Sequence, residues 1–395
     1  MNLSEKPSVP GGMEYQLQIY LAGTQNIKPN LPVSYEELEK KASEVMRPEA
    51  FAYIAGSAGA ETSAYNNIQA FNKWQIVPRM LGDVSQRNIS IELFGMQLPS
   101  PVLLAPVGVL SIAHPEAEVA VARAAKKLRI PQIVSTVSSN TIEEIGKVHD
   151  EHPHWFQLYW GRNNDFTRSL IHRAEIAGYS AIVVTLDTRL FAWRERDIKN
   201  AYLPFLFNEG LANYLTDPVF LKLVGDPKKN KMETMSHFAN CFSNPSSTWE
   251  DLAVIRDATK LPVLVKGIQH PDDAVMAIDH GADGIIVSNH GGRQLDGAIG
   301  SLETLDKIAN KVGNKTTVLF DSGSRRGADV FKAMALGAKA VLLGRPYAFA
   351  LALGGEEGVG EILGNLLADI DLTMGLAGCA SWREVTKDGL QYFGE

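Results

Sequence analysis

Eight short, apolar, β-rich runs separated by helical segments predict a (β/α)8 barrel of the α/β class. Two further observations support it. The runs recur mostly at the spacing of βα units, and nearly all of them turn polar at their C-terminal ends. In a parallel barrel those ends share one mouth, where ligands bind. A doubly wound open sheet would need a free edge and usually a glycine-rich loop after its first strand. Ala105-Pro-Val-Gly-Val109 is no such loop.

Taken in order, residues 1–30 form a polar N-terminal arm, and residues 31–395 form the barrel domain. From Ser34 the spacing of Tyr35, Leu38, Ala42, Val45 and Met46 predicts a helix, with Ser34 as its N-cap and Glu37 three residues on. Arg47-Pro48 ends it, and a second helical piece runs to Ala55, beside the break Gly56-Ser-Ala-Gly59. The predicted strands are 102–106, 131–135, 155–159, 181–187, 263–267, 284–290, 318–323 and 341–345. Helices are expected at 117–128, 166–177 and 327–336 among others. The fourth and fifth strands are about 75 residues apart, so roughly 50 extra residues fall at 190–248. Aromatics and prolines in that insertion predict a partly ordered lid. The pattern after the eighth strand predicts a closing helix pair over 358–376, then a helix and tail over 382–395.

The chain has 395 residues, 45% hydrophobic and 21% charged, with a formal net charge of -7. That acidity argues against a nucleic-acid binder. Two cysteines, Cys241 and Cys379, supply neither a disulfide framework nor a cysteine-based zinc site, and no histidine pair has zinc spacing, so no metal is expected. The N-terminus lacks the pattern of a secretory signal, and no apolar run is long enough to span a bilayer. A cytoplasmic protein without membrane partners is the expectation.

The strand ends carry the chemistry. The run Ser288-Asn-His-Gly-Gly-Arg-Gln-Leu-Asp296 places a base, two glycines and a guanidinium directly after the sixth strand. Asp187 can hold one nitrogen of His290 and stabilise the imidazolium. Arg194 and Arg293 can grip a carboxylate, and Tyr53 and Tyr159 can hydrogen-bond to a hydroxyl or carboxylate. After the seventh and eighth strands, Asp321-Ser-Gly-Ser-Arg-Arg-Gly327 and Gly344-Arg-Pro346 set glycine amides beside Arg325 and Arg345, the arrangement that binds phosphate in such barrels. Lys266 ends an otherwise apolar strand. It pairs with a carboxylate, stabilises negative charge on a cofactor such as the phosphate-bearing flavin FMN, or forms a Schiff base with a sugar phosphate.

With these residues in place, the chain resembles the FMN-dependent L-2-hydroxy-acid oxidases and dehydrogenases from Val33 to Leu390. The motif 288–296 is the most specific part of the likeness, supported by Phe156-Gln-Leu-Tyr159, Leu264-Val-Lys-Gly267 and 321–327. The resemblance implies FMN as cofactor and His290 as active-site base with Asp187 as its partner. It implies Arg194 and Arg293 as carboxylate ligands, with Tyr53 and Tyr159 contacting substrate. It also implies flavin contacts from Pro106, Val107, Gly108, Ser135, Gln157, Thr185, Lys266 and Ser288. The ribityl-phosphate contacts would be Asp321, Ser322, Gly323, Arg325, Gly344 and Arg345. A homotetramer or homo-octamer is implied as well.

Within that family the arm residues 14–20, the turn 55–59 and the insertion resemble the lactate 2-monooxygenases. Gly108 stands where the oxidases usually carry alanine, and Val137 where glycolate oxidase carries tryptophan. The implied reaction is oxidation of L-lactate by O2, with pyruvate either released beside H2O2 or retained and decarboxylated to acetate. A dehydrogenase passing electrons to a quinone or haem partner and a non-catalytic flavin-binding scaffold are the alternatives.

Overall fold

The structure, a computed structural model, describes residues 11–394. Eight parallel strands close into a barrel in sequence order: Val102–Leu104, Gln132–Ser135, His154–Tyr159, Ile182–Thr185, Val263–Ile268, Gly284–Val287, Thr317–Phe320 and Val341–Leu343. The eighth pairs back onto the first, with Val341 opposite Val102. The (β/α)8 expectation holds, and each predicted run overlaps one strand, three of which extend one residue beyond it. The runs were legible because these strands are buried on both faces and read as continuous Val, Ile and Leu.

The pleat explains what the barrel offers. One apolar residue from each strand packs in the barrel's interior: Leu103, Ile133, Trp155, Val183, Leu264, Ile286, Leu319 and Leu342. Two positions further along each strand, the period of the pleat, come Ala105, Ser135, Gln157, Thr185, Lys266, Ser288, Asp321 and Gly344. An apolar layer therefore gives way to a polar one at the C-terminal mouth. The opposite end is closed by the hairpin Ile91–Leu93 and Met96–Leu98, whose Phe94 ring meets Trp155 edge-on at 5.8 Å.

Outside the barrel, the helix Ala117–Leu128 buries Ala120, Val121, Ala124 and Ala125 and packs on the long segment Arg345–Leu376. That segment breaks at Gly354 and Gly355, the latter at φ 56, so residues 358–376 form one uninterrupted helix and not the expected helix pair; the break between two helices falls just before them. The N-terminal helix Gly12–Gly23 docks on it: Gly12 N–H donates to Asp371 Oδ2 at 2.7 Å. A Cβ at Gly12 would lie 2.4 Å from the Ala368 carbonyl oxygen, so only glycine allows this approach. Ser34 caps the helix Tyr35–Val45 by accepting from Glu37 N, and Pro48 opens the helix Pro48–Ala55.

The end of the chain differs from the sequence expectation. Residues 382–395 were expected to hold a helix and tail. Instead a 3-10 turn, Lys387–Gly389, leads into the strand Leu390–Tyr392, antiparallel to Trp74–Ile76. The Asp388-Gly389 turn interrupts helical propagation, and Tyr392 packs on Trp74 at 4.8 Å. Residues 190–248 fold into short helices, among them Glu195–Lys199, Pro218–Val224 and Lys231–Phe242. Buried Asn213 ties them to the loop after the second strand, donating to Thr136 O and Ser138 Oγ and accepting from Ile142 N. Among the described residues no helix is long and apolar enough to cross a membrane.

Candidate active site

A cavity occupies the C-terminal end of the barrel. At the same end a buried hydrogen-bonded belt runs from strand to strand; of its members Ser135, Gln157, Thr185, Lys266 and Ser288, only Lys266 lines the cavity. Ser135 Oγ donates to Gln157 Oε1 at 3.1 Å, and Gln157 Nε2 donates to Thr185 Oγ1 at 2.9 Å. Parallel register sets Thr185 opposite Lys266, whose Nζ donates to Ser288 Oγ at 2.8 Å. Burial works against charge on Lys266, but Asp321 at 3.4 Å and Asp187 at 3.7 Å outweigh it and hold the amine above its ordinary pKa. A Schiff base needs a neutral amine, so this environment disfavours that reading.

His290 stands above the belt at φ 60, a left-handed conformation uncommon for a side-chain-bearing residue. Its Nδ1 lies 2.7 Å from Asp187 Oδ1. Asp187 only accepts, so Nδ1 carries the proton and Nε2 keeps its lone pair. Burial would raise Asp187, yet His290 and Lys266 hold its carboxyl down at about 2. Burial, reinforced by Lys266 and Arg194 and opposed by Asp187, keeps the His290 imidazole below its usual pKa. It is therefore a neutral base at neutral pH.

The remaining motif residues build this turn. Asn289 and Asn67 exchange two side-chain hydrogen bonds of 2.8 Å, fixing the turn to the helix Thr62–Asn72. Asp296 accepts from Ala60 N and Ser63 N at that helix's start. Gly292 has φ 79, and a Cβ there would meet Ala64 N at 2.5 Å.

Two guanidiniums flank Tyr53, Arg293 at 5.2 Å and Arg194 at 5.9 Å from its ring centre. Arg293 Nη1 donates to the carbonyls of Tyr53 and Gly56 at the C-terminal end of the helix Pro48–Ala55. Arg194 Nε donates to the Arg293 carbonyl. Burial and the neighbouring Arg194 and Arg345 push Arg293 down to about 9. The two cations are held mainly by neutral carbonyls, with Asp197 at 3.9 Å from Arg194, so positive charge is crowded at this end of the cavity. Tyr159 ends the third strand, half-buried, its ring 4.5 Å from that of Phe242, and lines the same cavity.

The expected cofactor residues also converge. Pro106, Val107, Gly108, Asp321, Ser322, Gly323, Arg325, Gly344 and Arg345 all line the cavity. Ser322 Oγ accepts from Asn289 N and Gly291 N and donates to Asp321 Oδ1. Arg345 uses its fork on the carbonyls of Ile54, Gly56 and Gly291 and on Ser57 Oγ. Arg325, stacked on Tyr35 at 4.1 Å, keeps a buried Nε without a partner among the described residues. An orphaned guanidinium N–H beside Gly323 and Gly344, next to a belt of neutral donors and a buried ammonium, fits a phosphate-bearing flavin.

Residues that the sequence alone did not single out complete the site. Thr188 and Gln294 join Asp187 to Arg194. Leu203, Phe205 and Phe242 of the insertion, with Phe191, wall the cavity. Adjacency to Asp187 and membership of the 288–296 motif were the available signals for Thr188 and Gln294. For the aromatic wall, the aromatics of the insertion pointed to a lid but did not say which of them reach the cavity.

Comparison with known proteins agrees with this geometry. The family profile described as FMN-dependent dehydrogenase matches residues 42–392. The chain is 44% identical over 351 residues to an L-lactate oxidase of Lysinibacillus sphaericus, covering 89% of this chain and 90% of that protein. It is 41% identical to the FMN-dependent alpha-hydroxy acid dehydrogenase qulF of Penicillium citrinum, covering 95% and 94%. A crystal structure of mandelate oxidase superposes with a TM-score of 0.81 at 40% identity, covering 91% of this chain and 98% of that one.

Proposed function

Because the chain belongs to the FMN-dependent dehydrogenase family and is an FMN-dependent oxidoreductase acting on α-hydroxy acids, we propose that it oxidises L-lactate, or a similarly small L-2-hydroxy acid, with O2. The observation that carries this reading is the pair of crowded guanidiniums, Arg194 and Arg293, sharing a cavity with the neutral base His290.

When bound, FMN would supply the two-electron redox chemistry between the hydroxyl-bearing carbon and O2. Ser135, Gln157, Thr185, Lys266 and Ser288 would hold its ring beside Pro106, Val107 and Gly108. The residues after the seventh and eighth strands would hold its ribityl-phosphate arm. Arg194 and Arg293 grip the substrate carboxylate, and Tyr53 and Tyr159 hydrogen-bond to the carboxylate or hydroxyl. His290 Nε2 takes up the proton that leaves the substrate, whether from carbon or from oxygen. Asp187 stabilises the resulting imidazolium.

We infer further that the keto acid is retained. Peroxide then adds to its keto carbon, the C1–C2 bond and the O–O bond break, and acetate, CO2 and water leave, the outcome of a lactate 2-monooxygenase. Support comes from Leu203, Phe205 and Phe242, which wall the cavity and belong to an insertion anchored through Asn213. The second reading, release of pyruvate and H2O2, is favoured by the likeness to an L-lactate oxidase. Aerobic turnover of L-lactate with acetate, pyruvate and peroxide all quantified decides between them. Stoichiometric acetate supports retention, and stoichiometric peroxide overturns it. No flavin reduction by L-lactate under anaerobic conditions would overturn the substrate assignment.

A further inference from the structure

A directed chain of hydrogen bonds connects the carboxylate site to the base. Arg194 Nη2 donates to Gln294 Oε1 at 3.3 Å, Gln294 Nε2 donates to Thr188 Oγ1, and Thr188 Oγ1 donates to Asp187 Oδ1 at 3.0 Å. The same carboxylate oxygen accepts from His290 Nδ1 at 2.7 Å. Its direction is fixed at both ends. Arginine only donates, so the amide oxygen of Gln294 must face it and the amide NH2 must face Thr188. Asp187 only accepts, so the Thr188 proton must point to it. Thr188 is buried, and each bond in such a chain polarises the next.

We propose that Thr188 and Gln294 are positioning residues that couple capture of the substrate carboxylate at Arg194 to the proton affinity of the His290–Asp187 pair. The inference rests on the roles given above to Arg194 and His290. Before substrate binds, the only carboxylate near Arg194 among the described residues is Asp197, 3.9 Å away at Nη1 and off the chain; the Arg194 charge then polarises the chain toward Asp187, whose Oδ1 is shared with a strong Thr188 donor and pulls less on His290. A bound carboxylate draws off the Arg194 charge, weakens the Thr188 bond and leaves Asp187 a better acceptor for Nδ1–H. The imidazole becomes more basic when there is substrate to deprotonate. The other ionisable groups facing these residues are Lys266 and Asp321 from the barrel, Asp197 beside Arg194, Arg293 from the motif, Tyr159 from the third strand and Tyr53 from the helix Pro48–Ala55. Thr188→Val and Gln294→Leu leave all of them in place.

The test reads binding, not turnover. Pyruvate is titrated into oxidised holoenzyme across pH 5 to 8.5, and its Kd is followed by flavin absorbance. The pH dependence of Kd reports the His290 pKa in the free and the bound enzyme separately. In the unsubstituted protein the bound value should exceed the free one by about one unit or more. Thr188→Val removes a donor from Asp187, so the free value should rise and the two should converge. Gln294→Leu should narrow the gap, and Thr188→Ser should restore it. A gap unchanged in Thr188→Val, even with slower turnover, would overturn the coupling and leave Thr188 a packing role. If pyruvate affinity is indifferent both to pH and to Arg194→Met, the underlying site assignment fails, and the coupling with it.

Discussion

Asp187 Oδ1 and His290 Nδ1 lie 2.7 Å apart although 103 residues separate them in sequence. The fourth and sixth strands are not neighbours in the barrel; the fifth, carrying Lys266, runs between them. The contact forms because Asp187 and His290 both stand just past their strand ends, one pleat beyond Thr185 and Ser288. Lys266 lies beneath, 3.7 Å from the second oxygen of Asp187, so the aspartate is ionised between an imidazole and an ammonium.

Replacing that charge tests the pair directly. Asp187 raises the His290 pKa, and burial with Lys266 lowers it. Asp187→Asn should therefore shift the acid limb of kcat/KM to lower pH, while kcat falls on the order of 10²–10⁴-fold because the imidazolium loses its counter-charge. In the unsubstituted enzyme the acid limb should already lie below the ordinary histidine value of about 6.5. A pH–rate series from 4.5 to 8 reads both. An acid limb that moves upward in Asp187→Asn contradicts the assignment.

Arg293 combines two roles that substitutions separate. It caps the carbonyls at the end of the helix Pro48–Ala55 and contributes positive charge to the cavity. Arg293→Lys keeps a cation and should fold normally, but it loses the planar fork. Affinity for pyruvate or another 2-oxo acid should fall roughly 10–100-fold, the weight of one charge-assisted hydrogen bond. Titration by flavin absorbance, with a melting curve alongside, measures the two effects separately. Unchanged affinity would remove Arg293 from the carboxylate site.

At the other end of the barrel, His149 and His154 stack at 4.7 Å, fully buried, with His149 Nε2 at 2.8 Å from Gln132 Oε1. Burial, with His154 and His152 close by, pushes His149 down to about 2. A depressed folded-state pKa gives stability that is present above the unfolded value near 6.5 and is lost as pH falls toward 2. The protein should lose on the order of 3 kcal/mol from this one group between pH 6.5 and 4. His149→Gln, with no proton to gain, should flatten that part of the stability curve in urea titrations. An equally steep curve for the variant would place the acid sensitivity elsewhere.

The barrel was legible because burial on both faces removes polar residues from strands, so composition alone marks them. The site was legible because a pleat of period two converts a list of strand ends into a ring: Ser135, Gln157, Thr185, Lys266 and Ser288 needed no contact map. What escaped has no period. Leu390–Tyr392 is a three-residue strand whose partner, Trp74–Ile76, lies more than 300 residues away. Thr188 and Gln294 act through neighbours on other strands, and a hydroxyl beside an aspartate reads in sequence as a turn residue. The wall formed by Phe205 and Phe242 joins a four-residue 3-10 turn to the last residue of the helix Lys231–Phe242, and no period relates the two.

A substitution at Gly108 tests whether closure of the cavity retains the keto acid. A Cβ built there meets Val137 O at 2.6 Å, Val137 Cγ2 at 2.7 Å and Ser135 Oγ at 3.0 Å. An added methyl group thus presses on the second strand's loop, so that Val137 and the loop carrying Gly108 must separate. Gly210 of the insertion rests on the same place, where its own Cβ would lie 2.7 Å from Val109 Cγ2 and 2.9 Å from Val137 O. Displacing Val137 therefore loosens the seat of the insertion as well as the cavity wall. If the keto acid is held by that closure, Gly108→Ala should release it earlier. The acetate-to-pyruvate ratio should then fall at least about tenfold, the effect of roughly 1.4 kcal/mol on the partition between release and decarboxylation, with free H2O2 rising in step. Anaerobic flavin reduction by L-lactate should change much less, because His290, Asp187 and both arginines are untouched. An unchanged acetate yield in this variant would remove Gly108 from product selection.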